Sequence, residues 1–578
     1  MRKLALLAMP LVIGACAGAM HSGTTGGRPA GAYDLVITNG RIIDGTGAAW
    51  FWGDLAVTGD RIARITPRGR LANAPATRRI DAAGQVVTPG FIDIQAQSYA
   101  NFMQGDGRAL SMVTQGITTA ILGEGNTPAP VNLGRGTDAR RRDLITGDTA
   151  QARMAERFSG PHGFGNWLEF MAGRGLSENV GSFLGAGTAR TYTKGEAMGA
   201  PTPAELDTMR AVVRHAMEDG AFGIASALIY PPNTYASTAE LTELAKAMSP
   251  YGGVYITHMR SEADQFLEAI DEAISIGKNG GVPVEVYHLK ASGPRNWPKM
   301  ARAIAKIDSV RAAGQDVQAD MYLYVAGGNN FSSCIAPKYA ADGKLLDNLR
   351  NPAVRPQVKR DLLDENAGYE NLCLIAGPGN VMVTGFTKPE YKQYEGKRLD
   401  AIARGLGKDW ADALIDLNIA ENARLGEILF LMSEENIALQ LRQPWIKFGT
   451  DAGAMDPADA RGMTHPRTYG NFTRLLGKYV RDERVLPLED AVRKASSAVA
   501  TRLSLHDRGV LKEGLKADIL VFDERTVRDL ATFESPHQLS VGMQYVIVNG
   551  VPVIANGAHT GAKPGQVVRG PGWTGGSK

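Results

Sequence analysis

The sequence has few cysteines, only a short apolar run at its start, and almost no net charge. Three cysteines in 578 residues exclude a scaffold held together by disulfides. The apolar residues 4–13 are too few to cross a bilayer as a helix. The 63 basic and 60 acidic residues leave a net charge of +3, which argues against nucleic acid as a partner. We therefore expect a soluble globular protein with a small-molecule substrate.

The first residues have the pattern of an export signal. Arg2 and Lys3 precede the apolar run, and the segment Ile13-Gly14-Ala15-Cys16 resembles a bacterial lipobox, in which the cysteine is acylated. The alternative is an ordinary signal cleaved nearby. The first interpretation predicts a signal peptide over 1–16, a flexible tether over 17–32, and a periplasmic lipoprotein anchored to the outer membrane. Membrane contact would then occur only through the lipid on Cys16.

The other two cysteines, Cys334 and Cys373, leave two alternatives open. They could form one disulfide in an oxidising compartment, or each could be a buried apolar residue.

The order of sequence patterns predicts an α/β protein built around a barrel. Residues 33–88 and 505–569 show short alternating runs broken by turn residues, so we expect the two chain ends to pair into one small β-sandwich domain. Between them, over 89–504, apolar strand-like runs alternate with helical patterns, as in a TIM-type (β/α)8 barrel. The alternation of strand-like and helical segments is interrupted over about 326–436, which predicts an inserted lid subdomain.

Several polar residues follow apolar strand-like runs, where a barrel carries its chemistry. His258 and His288 end consecutive runs, so both imidazoles could reach one metal ion. Asp451 ends a later run and could move a proton beside that ion. Glu124 lies between two glycines after an early run. Taken singly, each histidine could equally be a hydrogen-bonded barrel residue, and Glu124 a plain turn residue.

The chain resembles the D-aminoacylase (N-acyl-D-amino-acid deacylase) family of amidohydrolases over about 33–569. The stretches that carry the resemblance are Pro89-Gly90-Phe91-Ile92-Asp93, Gln115-Gly116-Ile117-Thr118-Thr119, Leu228-Ile229-Tyr230-Pro231-Pro232, Thr257-His258-Met259-Arg260, His288-Leu289-Lys290, Thr450-Asp451, His465-Pro466-Arg467-Thr468-Tyr469-Gly470, Ala517-Asp518 and Ser535-Pro536-His537-Gln538. The resemblance implies a barrel with a β-sandwich domain.

The resemblance also implies roles for individual residues. His258 and His288 look like the family's zinc ligands, and Asp451 looks like its catalytic aspartate. Lys290 and Tyr322 are similar to residues that hold the substrate carboxylate, a role that suits an ammonium group. Two further residues of the matching stretches, Tyr230 and Arg260, are also predicted to bind substrate.

The sequence departs from the family pattern at the first metal position. Gln95 and Gln97 stand where the superfamily has His-x-His, and an amide oxygen is a far weaker zinc ligand than imidazole. The family's bridging cysteine is missing, and Glu124 is the available substitute. Ala186 stands where relatives often have histidine. We therefore expect one zinc ion held by His258, His288 and Glu124, with the two glutamines donating hydrogen bonds to water or substrate.

These observations predict a zinc-dependent hydrolase of a C–N bond that acts on N-acyl-D-amino acids. One alternative keeps the chemistry and changes the substrate to a dipeptide or a cyclic amide. The other is a non-catalytic binding protein that has lost its metal site.

Overall fold

The computed structural model describes residues 32–133 and 155–575. Cys16, the predicted signal peptide and the predicted tether up to residue 31 lie outside these ranges. Among the helices described, none has the length and apolar character needed to cross a bilayer.

The chain begins with five strands of the predicted β domain. The first strand pairs with three of the others, antiparallel to the second and parallel to the fourth and fifth. Alternate residues of these strands point into a core that includes Leu35, Ile37 and Leu55. The strands are β1 (Tyr33–Ile42), β2 (Phe51–Thr58), β3 (Arg61–Pro67), β4 (Ala76–Asp81) and β5 (Val86–Pro89).

The barrel follows directly and begins with eight strands, whose buried, mostly apolar residues are typical of parallel strands covered on both faces. They are β6 (Phe91–Asp93), β7 (Ile117–Leu122), β8 (Asn179–Ser182), β9 (Leu184–Gly185), β10 (Gly223–Ala227), β11 (Val254–His258), β12 (Val284–Val286) and β13 (Val317–Met321). β8 and β9 form two halves of one barrel strand, because β8 pairs with β7 and β9 with β10.

An inserted subdomain interrupts the barrel after β13. It has three antiparallel strands, β14 (Ala326–Asn330), β15 (Val381–Thr384) and β16 (Gly426–Phe430), and its own apolar core. Its α-helices are Leu345–Arg350, Arg355–Leu363, Leu372–Ala376, Leu399–Gly405 and Trp410–Ala420. A disulfide joins Cys334 to Cys373 within this core, which decides between the two alternatives for the cysteines. The next helix, Glu434–Leu441, packs on a barrel helix.

The last barrel strand, β17 (Ile446–Phe448), pairs with β13 and completes eight strand positions in the described ranges. The chain after β17 closes the barrel onto the segment after β6, where Asp451 N donates to Gln95 O over 2.8 Å. The barrel helices are Tyr99–Met103, Leu110–Val113, Gly163–Gly173, Ala186–Lys194, Pro203–Glu218, Thr238–Met248, Phe266–Gly280, Lys299–Ala312, Glu434–Leu441, Arg467–Arg474, Leu488–Ala495 and Ser497–Arg502, with a π-helix over Leu475–Asp482.

The chain end returns to the β domain, as predicted. β18 (Ile519–Phe522) pairs with β5, and β19 (Met543–Val548), β20 (Val551–Ala555) and β21 (Ala558–His559) extend the same nine-stranded sheet. The predicted boundary at 569 needs correction. Residues after β21 leave the sheet and run along the barrel, where Val568 N donates to Val180 O and Gly570 N to Gly220 O, both over 2.8 Å. The predicted fold class, a barrel with a β domain from both chain ends, is confirmed.

Candidate active site

The carboxyl ends of the barrel strands bring the predicted residues to one place. His258 is the last residue of β11, and His288 and Glu124 each follow their strand, β12 or β7, by two residues. Asp451 follows β17 by three residues. His288 and Asp451 have positive φ values of 31° and 47°, a strained backbone conformation for residues with a side chain. Such strain is retained where the surrounding structure holds a functional side chain in place.

Glu124 directs one carboxylate oxygen at both histidines. Its Oε1 lies 3.2 Å from His258 Nδ1 and 3.4 Å from His288 Nε2. The two imidazole rings are nearly perpendicular, with centroids 4.5 Å apart. Burial raises the pKa of the Glu124 carboxyl, but hydrogen bonds and charge interactions with the histidines outweigh burial, and its pKa lies well below the ordinary value. The group is therefore an ionised carboxylate.

The other oxygen of Glu124 faces the two glutamines. Gln95 Nε2 and Gln97 Nε2 each donate to Glu124 Oε2 over 2.7 Å. The predicted donation of the two glutamines to water or substrate stays a prediction beside this observed contact. Their amide groups hold the Glu124 carboxylate in place, and Gln97 also lines the cavity.

A second buried carboxylate, Glu262, lies behind the histidines. Its Oε1 is 2.6 Å from Lys290 Nζ, 3.1 Å from His288 Nδ1 and 3.6 Å from His258 Nε2. Burial raises its pKa, but the charges of His258 and Lys290 outweigh burial and hold the pKa far below the ordinary value. Burial and Lys290 both lower the pKa of His288, yet Glu262 and Glu124 raise it to about 9. The carboxylates therefore make this site strongly attractive to positive charge.

Asp451 is positioned from two sides. Its Oδ2 lies 2.7 Å from Arg467 Nη1 and 4.0 Å from His288 Nε2. The preceding residue, Thr450, donates its N–H to Asp93 Oδ1 over 3.0 Å and its hydroxyl to Asp93 Oδ2 over 2.5 Å. Burial raises the pKa of Asp451, and Arg467 opposes that rise. A carboxylate with a raised pKa beside a metal site is suited to receiving and releasing a proton.

Two tyrosines border the site on opposite sides. The Tyr322 ring lies against two cations, with Lys290 Nζ 5.6 Å and Arg467 Cζ 4.5 Å from its centroid. The Tyr230 ring packs edge-on against His258, and its hydroxyl donates to Asn329 of the inserted subdomain.

Arg260 does not join the site, which corrects the prediction that it binds substrate. Its guanidinium pairs with Glu272 at 2.9 Å and donates to the carbonyl oxygens of Thr234 and Ala236. It is absent from the cavity lining, and so is Gln95.

The clustered polar side chains open into a cavity of about 450 Å³. The barrel provides its polar floor, and the inserted subdomain provides much of its wall, including Gly327, Asn329, Leu372, Leu429 and Met432. The sequence predictions did not include Glu262 or Arg467, both of which line this cavity. Arg467 lies in the matching stretch His465-Pro466-Arg467, which was a signal for it. Glu262 lies outside the matching stretches, so no such signal indicated it.

The residues present fit a zinc ion. Two imidazoles and one carboxylate are a donor set that catalytic zinc uses, with a further position left for water. With zinc bonds of about 2.0–2.1 Å, neighbouring ligands in a tetrahedron lie about 3.3–3.4 Å apart. Glu124 Oε1 stands at 3.2 and 3.4 Å from the two histidine nitrogens. The three ligand atoms lie within 4.8 Å of one another.

The comparisons with known proteins decide the family. The chain is 33% identical over 537 residues to a D-aminoacylase of Alcaligenes xylosoxydans xylosoxydans, covering 93% of this chain and 97% of that protein. An N-acyl-D-glutamate deacylase of the same organism is also 33% identical over 537 residues, covering 93% and 96%. The chain belongs to the D-aminoacylase family of amidohydrolases. The sequence model of the amidohydrolase family matches residues 410–554 of this chain.

Solved structures agree with this assignment to the D-aminoacylase family. An N-acyl-D-glutamate deacylase from Bordetella bronchiseptica, crystallised with zinc and a phosphonate mimic of the tetrahedral intermediate, has a TM-score of 0.76 and 31% identity. A D-aminoacylase structure has a TM-score of 0.75 and 31% identity. That enzyme has a binuclear metal centre in which one metal activates and the second attenuates. Each comparison covers 93% of this chain and 100% of the other. The predicted family and the predicted class, a metal-dependent hydrolase of non-peptide C–N bonds, are confirmed.

Proposed function

We propose that this protein is an N-acyl-D-amino acid deacylase that works with one zinc ion. The proposal depends on how the two carboxylate oxygens of Glu124 face two different pairs of side chains. One oxygen faces His258 and His288, and the other accepts two amide N–H groups from Gln95 and Gln97. The amide N–H groups direct partial positive charge at Glu124 Oε2. They therefore disfavour a second cation on their own side and leave Oε1 free to bind one cation on the histidine side.

The charges around the cavity support the same number of ions. Three carboxylates, Glu124, Glu262 and Asp451, face two fixed cations, Lys290 and Arg467. With both histidines neutral, as metal binding requires, one divalent ion changes this balance from one negative to one positive charge. The carboxylate of an N-acyl amino acid then neutralises the site. A second divalent ion would leave the cavity strongly positive.

The side chains divide the hydrolytic work among them. A zinc ion on His258, His288 and Glu124 would lower the pKa of water and polarise the scissile carbonyl. Asp451 accepts the proton of the attacking water and passes it to the amide nitrogen as the C–N bond breaks. The products are a carboxylate and a free amino acid. Arg467 Nη1 lies 2.7 Å from Asp451 Oδ2 and holds the Asp451 carboxylate in place.

The amino-acid end of the substrate has a defined place. Lys290 and Arg467 both lie against the Tyr322 ring, so the three groups form one corner of the cavity with two positive charges. A free carboxylate is the anion that this corner suits. The scissile amide then lies toward the histidines.

The wall of the cavity favours a neutral side chain on the substrate. Within the described lining, Lys290 and Arg467 are the only lysine and arginine. The inserted subdomain contributes Leu372, Leu429, Leu431 and Met432 to the wall. An acidic substrate side chain would meet no further cation there, whereas an apolar one would be buried against leucine and methionine. We propose N-acyl derivatives of D-leucine or D-methionine over those of D-glutamate.

Hydrolysis of paired enantiomers tests this function. Purified enzyme with one equivalent of zinc is given N-acetyl-D-methionine, N-acetyl-L-methionine and N-acetyl-D-glutamate, with the Asp451→Asn variant as the inactive control. The proposal expects kcat/KM for the D-methionine derivative to exceed both others at least 10-fold. Equal turnover of the two enantiomers would remove the D-specific assignment, and faster turnover of the glutamate derivative would remove the side-chain assignment.

We also propose that the protein is exported and anchored by a lipid on Cys16, on the basis of the segment Ile13-Gly14-Ala15-Cys16. Metabolic labelling with a palmitate analogue tests this in cells that express the chain. Label is expected on the parent and not on Cys16→Ser. A labelled Cys16→Ser variant, or an unlabelled parent, contradicts the lipid anchor.

A further inference from the structure

A loop on the β domain exposes an uncharged aromatic surface. Residues 46–52 are all exposed, and they include Trp50, Phe51 and Trp52, with 41%, 40% and 42% of their surface accessible. No charged residue lies between Asp44 and Asp54. We call residues 46–52, which include the first two residues of β2, the aromatic loop. Contiguous exposed apolar surface of this kind marks a site of interaction with another molecule.

The aromatic loop is held in a fixed position. Ser497 of the barrel donates to Gly45 O over 2.6 Å, next to the first residue of the loop. The rings of Trp50 and Trp52 pack edge to face, 5.5 Å apart. These contacts keep the rings at the surface in one arrangement.

Two arginines lie over the exposed tryptophans. Arg41 Cζ is 5.4 Å from the centre of the Trp50 ring, and Arg68 Cζ is 5.2 Å from that of Trp52. Arg41 also pairs with Glu524, and Arg68 donates to Asn39. The aromatic loop therefore presents indole rings with guanidinium groups directly beside them.

We propose that the aromatic loop docks on the surface of a phospholipid bilayer. Tryptophan favours the boundary between headgroups and acyl chains, because its ring is apolar and its N–H is polar. Guanidinium groups beside the rings can bind lipid phosphates. The combination of indole, phenyl and guanidinium groups without a carboxylate in the loop is the chemistry that an anionic bilayer would recognise.

The size of the surface favours a bilayer over a second copy of the chain. Two-fifths of three aromatic side chains amounts to roughly 250 Å² of accessible area. A stable protein–protein interface buries about 800 Å² on each partner. A bilayer needs no such area from one loop, because each aromatic ring can enter the boundary between headgroups and acyl chains by itself.

The start of the described chain is close enough for both contacts to reach one membrane. Trp52 pairs with Arg41, which follows Tyr33 by eight residues, so the aromatic loop lies about 27 Å along β1 from Tyr33. Residues 17–32 can span about 55 Å when extended. A lipid on Cys16 and the aromatic loop can therefore reach the same bilayer.

Vesicle flotation tests the aromatic loop without the lipid and without any assay of hydrolysis. The chain from Ala17 onward keeps every described residue and carries neither signal nor lipid. It is mixed with vesicles of phosphatidylethanolamine and phosphatidylglycerol, and the floating fraction and tryptophan emission are measured. The variants are the triple Trp50→Ser, Phe51→Ser, Trp52→Ser and the double Trp50→Tyr, Trp52→Tyr. The matched control is Trp573→Ser, which removes another exposed tryptophan, 48% accessible.

The parent chain and Trp573→Ser are expected to float with a blue shift in emission, and the triple variant to bind at least 10-fold more weakly. The double tyrosine variant is expected to retain most of the binding, and all variants to keep the parent's thermal unfolding midpoint. A parent chain that does not float, or a folded triple variant that floats equally, overturns the proposal. A concentration-dependent dimer that the triple variant abolishes, without flotation, assigns the aromatic loop to a second copy instead.

Discussion

The side-chain amide of Gln97 donates to Glu124 Oε2 over 2.7 Å, on the oxygen that does not face the histidines. Gln95 makes the same contact. Together the glutamines fix the orientation of the carboxylate whose other oxygen lies between His258 and His288. The two glutamines, which depart from the family pattern, therefore position the carboxylate that faces both histidines.

Replacing Gln97 by leucine should weaken metal binding. The substitution keeps the approximate volume but leaves Glu124 Oε2 with one donor fewer, and loss of such a supporting hydrogen bond typically costs 10- to 100-fold in metal affinity. Zinc affinity, measured by competition with a chelator, should fall by that factor in Gln97→Leu. The control is Gln443→Leu, whose amide donates only to Leu439 O in a distant helix. Equal zinc affinity in Gln97→Leu and parent would show that the glutamine does not support the site.

Replacing Asp451 by asparagine should slow the chemical step and leave zinc in place. Asparagine cannot accept the proton of the attacking water, and loss of general acid–base catalysis costs typically 10²–10⁴-fold. We expect kcat to fall in that range, with zinc content and the thermal midpoint unchanged. If Asp451→Asn keeps the parent's kcat, Asp451 does not carry the proton; if it loses zinc, Asp451 is a ligand instead.

Lys290 should contribute to recognition of the substrate carboxylate. A hydrogen bond to a charged group contributes about 1.5–3 kcal/mol, so Lys290→Met should lower kcat/KM for an N-acetyl-D-amino acid about 10- to 100-fold. The same variant should change kcat/KM for the corresponding α-carboxamide by less than about 3-fold. The exposed Lys392→Met serves as the control. An equal loss on both substrates would mean that Lys290 acts through Glu262 and His288 rather than on the carboxylate.

The buried Glu427 should make the stability of the protein depend on pH. Burial raises the pKa of this carboxyl from 4.5 to about 8, against a hydrogen bond from Ser333. The folded protein thus keeps a proton that the unfolded chain releases above pH 4.5. The contribution of protonated Glu427 to the free energy of unfolding is complete below pH 4.5 and is lost as the pH rises through 8.

Glu427→Gln removes this loss, because the amide does not ionise. The free energy of unfolding of the variant minus that of the parent should therefore increase between pH 5 and 8, by on the order of a few kcal/mol. Urea unfolding at several pH values measures it, with exposed Glu390→Gln as the control. A constant difference across this range would contradict a protonated Glu427.

The sequence was sufficient to predict the barrel and to single out His258, His288, Glu124 and Asp451, which the fold brings together. The barrel strands are buried and mostly apolar, and polar residues stand at or just after their carboxyl ends, so position alone singled out His258 and His288. The β domain was recognisable from its turns, although the pattern did not show that residues 564–572 return to the barrel. That return depends on backbone hydrogen bonds such as Val568 N to Val180 O, which leave no signal in side-chain pattern.

The sequence was not sufficient to predict which charged residues near His258 face the cavity. Arg260 follows His258 by two residues, yet Glu272 holds its guanidinium away from the cavity. Glu262 follows by four residues and turns inward instead, onto Lys290. Which of two nearby charged residues faces the cavity depends on partners distant in sequence, so spacing from a known ligand does not decide it.

Zinc titration of the metal-free enzyme shows whether one ion on His258, His288 and Glu124 is sufficient for hydrolysis. Zinc is added in measured amounts while hydrolysis of N-acetyl-D-methionine and bound metal are followed together. We expect activity to reach its maximum at one bound zinc per chain, and Glu124→Ala to bind zinc at least 10-fold more weakly. Activity that requires two bound ions, or that is full without zinc, would contradict the account.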